Sequence, residues 1–158
     1  MRSDFYYFGD AMLSKKARYA LKALEYIARH NDRKPILIGE IAAAQCLPRK
    51  FLEVILLELK KAGMLNSRLG KQGGYFLDLP PSEIKIGQVV RLIDGPVAMV
   101  PCVSEKYYTP CAECRDEAVC GLRHVMAQVR EATTSVLDQV SLEDVLIRED
   151  NLRAAILN

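Results

Sequence analysis

The helix-start and helix-stop residues around Pro48 constrain the fold of this 158-residue chain more than its composition does. The sequence predicts a short helix over residues 38–45, and Pro48 then begins a new helix, because the first helical position needs no N–H donor. This helix is predicted to run to residue 62 and to close at Gly63, since glycine often follows a helix end. Two helices joined by so short a turn predict a helix-turn-helix.

A β-hairpin is predicted directly after this unit. Residues 64–68 and 75–77 are short β-prone segments, and the residues between them, 69–74, include three glycines. A hairpin that follows a helix-turn-helix is a wing. The predicted fold class is therefore mainly α with a small β-hairpin wing, namely a winged helix-turn-helix domain plus a long C-terminal dimerisation helix.

The long helix is predicted from a seam of side chains. Ser14 is a good N-cap for a first helix that ends near residue 30, and a short helix is predicted over 86–93. From residue 122, apolar residues recur at alternating intervals of four and three, which is a seam that needs a partner. The seam comprises Leu122, Met126, Val129, Thr133, Val136 and Val140, with Thr133 as its polar member. Ser141 is then predicted to cap a short last helix over 142–147.

These elements divide the chain into five predicted parts. They are an N-terminal tail (1–11), the winged helix-turn-helix domain (12–80), a linker helix with a cysteine-rich sensor loop (81–120), the dimerisation helix with a short return helix (121–146), and a C-terminal tail (147–158).

Charge is distributed unevenly between the two halves of the chain. Residues 1–75 hold 14 Lys and Arg against 7 Asp and Glu, whereas residues 76–158 hold 8 against 13. A basic first half suggests that it meets a polyanion. No apolar run approaches the ~18 residues of a membrane span, and residues 1–12 lack the apolar core of a secretory signal, so we expect a cytoplasmic protein with no membrane partner. We find no nucleophile–base arrangement, P-loop or dinucleotide fingerprint, and we therefore do not expect an enzyme.

Cations at the start of the third helix indicate DNA binding. Arg49 and Lys50 follow Pro48 in the first turn, where each opposes the helix macrodipole at a cost of about 0.3–1 kcal/mol. That arrangement suits a recognition helix whose first turn enters the major groove, with Glu53 able to accept from a cytosine amino group. Wing glycines allow close approach to a phosphate strand, which basic or polar side chains can contact. The predicted DNA-binding residues are Lys15, Arg18, Pro48, Arg49, Lys50, Glu53, Arg68, Gly70, Lys71, Gln72, Gly73 and Gly74. We expect Phe51 to face the core.

Four of the five cysteines, Cys102, Cys111, Cys114 and Cys120, fall within nineteen residues. In a chain without secretory features this clustering indicates metal or redox chemistry rather than a disulfide framework. Three or four thiolates in one loop can hold an iron–sulfur cluster or a zinc ion.

The segment IAAAQCLPRKFLEVILLELKKAGMLNSRLGKQGGYFL resembles the Rrf2 family of winged-helix transcription regulators, which includes IscR and NsrR. MLSKKARYALKAL, IKIGQVVRLIDGP and SLEDVL resemble its other signature segments, so the resemblance extends from residue 12 to about residue 146. It implies a homodimer held by the long helix, with one winged domain on each half of a palindromic double-stranded operator. It also matches Glu53 to a glutamate that takes part in base discrimination.

Two positions depart from the family pattern. Leu69 stands where the family wing has an arginine before its first glycine, and Arg68 lies one residue earlier. Cys46 occupies a turn position that is often glycine. We expect Cys46 to be tightly packed rather than to ligate a metal.

The same resemblance implies an iron–sulfur cluster, [2Fe–2S] or [4Fe–4S], held by three cysteines. Cys102 resembles the first ligand, and the spacing from Cys114 to Cys120 resembles the last step, so one of Cys111 and Cys114 is surplus. Relatives take a fourth ligand from a histidine after the third cysteine or from an acidic residue on the partner's first helix. The matching positions here are arginines, which cannot ligate a cation, so the extra cysteine or His124 is expected instead.

The expected function is a homodimeric, sequence-specific DNA-binding transcription regulator whose operator affinity is switched by an iron–sulfur cluster. Two alternatives stay open at this point. The same regulator could use a structural zinc ion or a direct thiol switch. In a different class, the chain could be a small cysteine-based redox or scaffold protein that has no use for the basic helix start and the wing.

Overall fold

The computed structural model describes residues 13–30, 35–70 and 72–157. Over these residues the order of elements confirms the predicted fold class: mostly helix, with a two-stranded antiparallel hairpin. The elements are α1 (Lys15–Arg29), α2 (Ile38–Ala44), α3 (Arg49–Lys61), β1 (Leu65–Arg68), β2 (Gly74–Leu77), α4 (Ile86–Asp94), α5 (Gly121–Gln139) and α6 (Leu142–Ile156). Short 3₁₀ turns cover Pro81–Glu83, Pro101–Val103 and Glu117–Val119. The predicted tail 1–11 and Lys71 lie outside the described residues.

The core forms where α1 packs against α3 and α4. Ser14 caps α1 as predicted, since its Oγ accepts from the backbone N–H of Ala17 at 3.0 Å. Three alanines on one face of α1 are fully buried, which lets the neighbouring helices approach closely. Complete burial of each leucine or isoleucine contributes about 1.5–3 kcal/mol, so this core fixes the helix-turn-helix. The fully buried large side chains are Leu24, Ile27, Ile41, Leu52, Ile55, Leu56, Leu59, Leu65, Ile84, Val89 and Leu142.

The turn between α2 and α3 differs from the prediction in two details. Pro48 is the N-cap of α3 rather than its first helical residue. Cys46 is exposed, so the expectation that it would be tightly packed is wrong. Its backbone has φ +53°, a left-handed conformation that residues other than glycine seldom adopt. A glycine would adopt this conformation at less cost, so the backbone and not packing sets the constraint at this position.

The two strands of the wing pair with each other, and β2 also pairs with the chain before α2. Its register pairs Leu65 with Leu77 and Arg68 with Gly74. Ile36 extends the hairpin on its other side, because its N–H and C=O each form a 2.8 Å hydrogen bond with Tyr75. The hairpin is thus tied to the chain before α2 and forms one body with the helix-turn-helix.

The last helix is longer than predicted. The sequence predicted an end at residue 147 and a tail beyond it, but α6 continues to Ile156. Residues 148–156 contain no glycine or proline to stop the helix, and Arg153 pairs with Glu149 one turn earlier at 2.8 Å. Arg29 of α1 also reaches Glu149 at 2.7 Å and Asp150 at 2.9 Å, which holds this extension against the winged domain.

Both ends of α5 are attached to neighbouring segments, but no other element buries the helix between them. Its C-terminal end is held by hydrogen bonds from Ile86 N–H to Val140 O (3.0 Å) and from Leu142 N–H to Ile84 O (2.8 Å). Nevertheless, no residue of α5 is buried. None of the described helices is long and apolar enough to cross a membrane.

Candidate DNA-binding surface and cysteine cavity

The first turn of α3 presents its cations to solvent. Arg49, Lys50 and Glu53 are all exposed, while the opposite face of the helix lies in the core. Arg49 Nε lies 3.5 Å from Glu53 Oε1, so the two side chains are neighbours on one surface. Phe51 does not face the core as expected. It is 41% exposed, and its ring meets Tyr19 edge-on at 5.8 Å, because its helical position lies at the border of the buried stripe.

Helix α1 adds positive charge beside α3. Lys15 and Arg18 are exposed, as a DNA-contacting role requires. Between them, Lys16 pairs with Glu58 of α3 at 2.7 Å, which links the two helices through a partly buried contact. Lys16 therefore has a partner within the protein, whereas Lys15 and Arg18 remain on the surface.

The wing residues fall into two groups. Arg68, Gly70 and Gln72 are exposed. Gly73 is buried, and a Cβ there would lie 2.2 Å from the backbone oxygen of Arg68; a Cβ on Gly74 would lie 2.4 Å from Ile36 O. Real Cβ atoms do not approach this closely, so the hairpin itself requires the last two glycines. Their predicted contact with DNA stays a prediction, as does that of the other wing residues.

The four clustered cysteines line a single cavity of about 280 Å³ between the sensor loop and the start of α5. All are free thiols; Cys102 is buried, Cys114 and Cys120 are half-buried, and Cys111 is exposed. Glu117 and Arg123 also line the cavity, whereas His124 does not. The exposed His124 ring instead lies beside Gln128, with its Nε2 3.4 Å from the amide nitrogen. Over the described part of the chain, no three Cys, His, Asp or Glu side chains converge closely enough to hold one metal ion.

Hydrogen bonds and burial favour the protonated form of two thiols. Cys111 Sγ donates to Glu113 Oε2 at 3.1 Å, which raises the pKa of the thiol and lowers the pKa of the carboxyl. Burial raises the pKa of Cys114, and the neighbouring Cys120 thiol raises it further. A metal is bound by thiolates, so metal binding here would release these protons.

Helix α5 contacts the sensor loop through three of its own groups. Cys120 is the N-cap of the helix, and its Sγ accepts a hydrogen bond from the Arg123 N–H at 3.4 Å. Arg123 Nε donates to Cys102 O at 3.3 Å, and one guanidinium nitrogen of Arg130 donates to Val103 O at 2.8 Å. The loop and the helix are thus joined at each end of the cysteine segment.

Sequence reasoning missed Glu117 and Arg130 as members of this region. A signal existed for Arg130, because it lies seven residues after Arg123 and therefore on the same face of the helix. Glu117 lies three residues before Cys120 inside the loop, where only the three-dimensional structure associates it with the thiols.

A family model described as an iron-dependent transcriptional regulator, Rrf2, matches residues 13–148. The chain belongs to the Rrf2 family. An Rrf2-like HTH-type transcriptional regulator of Rhodobacter capsulatus is 44% identical over 138 residues, covering 85% of this chain and 92% of the relative. The HTH-type transcriptional regulator NsrR of Bacillus licheniformis is 30% identical over 142 residues, covering 89% of this chain and 96% of that relative.

Among solved structures, the Rrf2 chain resembles CymR, the global cysteine regulator of Bacillus subtilis, with a TM-score of 0.72 and 29% identity over 86% of this chain and 96% of that one. These proteins are transcription regulators and not enzymes. The chain is therefore a DNA-binding transcription regulator of the Rrf2 family, which removes the redox-carrier and scaffold alternative.

Proposed function

We propose that this Rrf2 regulator binds palindromic operator DNA as a cytoplasmic homodimer and that an iron–sulfur cluster in the cysteine cavity switches its affinity. One observation carries the proposal: four free thiols line a single cavity whose wall includes the start of α5. A change in what occupies the cavity would act directly on the helix that we expect to join the two subunits.

The DNA-binding side of the proposal rests on the exposed start of α3. Arg49 and Lys50 would contact phosphate or guanine, and Glu53 would discriminate bases in the major groove. The exposed wing side chains Arg68 and Gln72 would contact the adjacent backbone or minor groove. Lys15 and Arg18 would add phosphate contacts, so their loss should weaken binding to all sequences similarly.

The homodimer is supported by the uncovered seam of α5. Leu122 is 65% exposed and Val136 is 61% exposed, although both belong to the regular four–three repeat. Such a repeat is buried when two helices pack by knobs into holes. We therefore infer that the α5 helix of a second copy covers this seam and that each subunit presents one recognition helix to the operator.

The donor chemistry of the cavity fits an iron–sulfur cluster, because soft thiolates are its usual protein ligands. A bound cluster would supply iron–thiolate bonds that respond to oxidants or nitric oxide. Cys102 and Cys120 would then be tied together across the loop, while Arg123 and Arg130 hold the loop carbonyls against α5. A switch of this kind needs a coupling free energy of only about 1–3 kcal/mol.

A second candidate keeps the DNA-binding role but uses the thiols directly or with zinc. It is favoured by the position of the Cys114 and Cys120 thiols in one cavity, where the neighbouring Cys120 contributes to the raised pKa of Cys114. The likeness to CymR, a global cysteine regulator, also fits this candidate.

Anaerobic purification tests the proposal. We expect a coloured protein with equal iron and inorganic sulfide, and a labelled DNA fragment from upstream of its own gene should be bound with a different affinity when the cluster is removed. Cys120→Ser should abolish the colour, whereas Cys46→Ser, whose thiol lies outside the cavity, should keep it. Colourless protein without iron and sulfide would contradict the cluster, bound zinc would favour the second candidate, and equal operator affinity in both forms would contradict the switch.

A further inference from the structure

Glu117 carries an unpaired buried oxygen. Its Oε1 is the buried side-chain oxygen or nitrogen that has no hydrogen-bond partner among the residues that the structure describes. Leaving a buried polar atom unsatisfied destabilises a folded protein, and more so when the group is charged. In native proteins such an atom is usually paired with an ordered water or an ion.

The other oxygen of the same carboxyl group is held firmly. Glu117 Oε2 accepts a hydrogen bond from the Tyr108 hydroxyl at 2.6 Å and lies 3.6 Å from Arg123 Nε. These contacts fix the orientation of the carboxylate. Oε1 is therefore unpaired because of its fixed position and not because the side chain is mobile. The group also lines the cavity of the four cysteines.

We propose that Glu117 is the oxygen ligand that joins Cys102, Cys114 and Cys120 around the metal centre. This inference rests on the proposed function, because it names a ligand of the same cavity. Cys111 is set apart because it is exposed and its thiol already donates to Glu113. His124 lies outside the cavity. Glu117, and not His124, is therefore the non-cysteine group of this chain that reaches the centre.

The donor set of three thiolates and one carboxylate is chemically suited to iron, zinc or cobalt, each of which accepts sulfur and oxygen ligands. The donors line the cavity without converging on a point, so binding has to draw the loop inward. Metal binding would release the thiol protons and give Oε1 its missing partner, while Tyr108 keeps Oε2 in place.

Anaerobic titration of the whole protein with Co²⁺ tests this role, because thiolate-to-cobalt charge transfer reports sulfur ligands and the ligand-field bands report the complete donor set. Glu117→Gln should weaken Co²⁺ binding by at least about tenfold and shift the ligand-field bands, as loss of a metal-site group usually does. The matched control is Glu113→Gln, an acidic residue of the same cavity, which should keep the wild-type bands. Cys114→Ser should lose more affinity than Cys111→Ser.

Metal-free stability separates ligation from a structural role. Without metal, Glu117→Gln should unfold at nearly the same temperature as wild type, because glutamine keeps the side-chain shape and an oxygen for the Tyr108 hydroxyl, and the partly exposed pair with Arg123 contributes little. Glu117→Asp, which keeps the charge but shortens the reach, should bind Co²⁺ with intermediate affinity. Wild-type Co²⁺ affinity and bands in Glu117→Gln, or a loss confined to metal-free stability, would overturn the role of Glu117 alone. A wild-type protein that binds no Co²⁺ would overturn this role of Glu117, whereas the iron and sulfide counts decide the proposed cluster separately.

Discussion

At the scale of single residues, two glycines of this chain have opposite surroundings. Gly74, in the wing, has φ +145°, and a Cβ there would meet the carbonyl group of Ile36 at 2.4–2.5 Å. A Cβ on Gly39, in α2, would meet no atom beyond its own helix backbone within 4 Å. The wing glycine is thus required by the contact between Ile36 and Tyr75, whereas the helix glycine is not required by packing.

Replacing these glycines by alanine should therefore give stability changes of opposite sign. Gly74→Ala should lower the free energy of unfolding by about 2–3 kcal/mol, through backbone strain and the displacement of Ile36. Gly39→Ala should raise it by about 0.5 kcal/mol, because alanine is the better helix former. Urea unfolding of both variants measures the difference. An unchanged or increased stability of Gly74→Ala would mean that the wing is not held against Ile36.

Residue-scale features were predictable where the cause is local. The Ser14 cap follows from a side chain and the backbone three residues later, so the sequence contains the whole interaction. The exposure of Phe51 and of Cys46 depends on which neighbours fold against them, and the unpaired oxygen of Glu117 depends on a tyrosine nine residues earlier. Those contacts exist only in the folded chain, and sequence spacing does not indicate them.

At the scale of elements, α6 is attached to α1 by electrostatic contacts. Arg29 pairs with Glu149 and Asp150, and its hydrogen bond lowers the pKa of Glu149. Burial raises the pKa of nearby Glu25, and the charge of Glu149 raises it further, while Arg29 opposes that effect. Arg29 therefore compensates two carboxylates at the junction of the helices. This contact joins residues 120 positions apart, which is why the sequence did not predict how far α6 extends.

Arg29→Met should consequently destabilise the protein in a pH-dependent way. A carboxyl group with a lowered folded pKa contributes stability above its unfolded pKa, about 4.3, and that stability is lost as the pH falls through the folded value. We expect a loss of about 1 kcal/mol at pH 7, the upper range for partly exposed pairs, and a smaller loss near pH 3. Urea unfolding at the two pH values checks this. Arg153→Met, which removes an exposed pair with the same Glu149, should cost less at pH 7. A pH-independent loss in Arg29→Met would point to packing of its methylene groups instead.

At the scale of the whole molecule, α5 joins the cysteine cavity to the winged domain. Its first residue follows the capping Cys120, and its last turn leads into hydrogen bonds with Ile84 and with Ile86, the first residue of α4. A helix held at both ends transmits a change at one end to the other, provided that the loop remains attached. The sequence predicted this helix and the cysteine cluster separately. The attachments between them are long-range hydrogen bonds to backbone oxygens, which leave no pattern in the sequence.

Removing the attachment made by Arg130 should separate cluster binding from the control of operator affinity. Its guanidinium donates to Val103 O at 2.8 Å and is only 21% exposed, yet Arg130 does not line the cysteine cavity. In Arg130→Met we expect cluster content to stay at the wild-type level, because the thiols are unchanged. The ratio of operator affinities with and without the cluster should fall from about tenfold, typical of a coupling of 1–3 kcal/mol, to nearly one.

Fluorescence anisotropy with the same DNA fragment, run beside iron and sulfide counts, measures both quantities on one preparation. Arg148→Met is the matched control, because it removes an exposed arginine from α6 without touching the loop, and it should retain the wild-type ratio. A wild-type ratio in Arg130→Met would exclude this hydrogen bond as the route of coupling. A loss of cluster with no change in metal-free operator affinity would instead make Arg130 part of the cavity's support. Only a normal cluster with a lost ratio assigns the coupling to the contact between Arg130 and the loop.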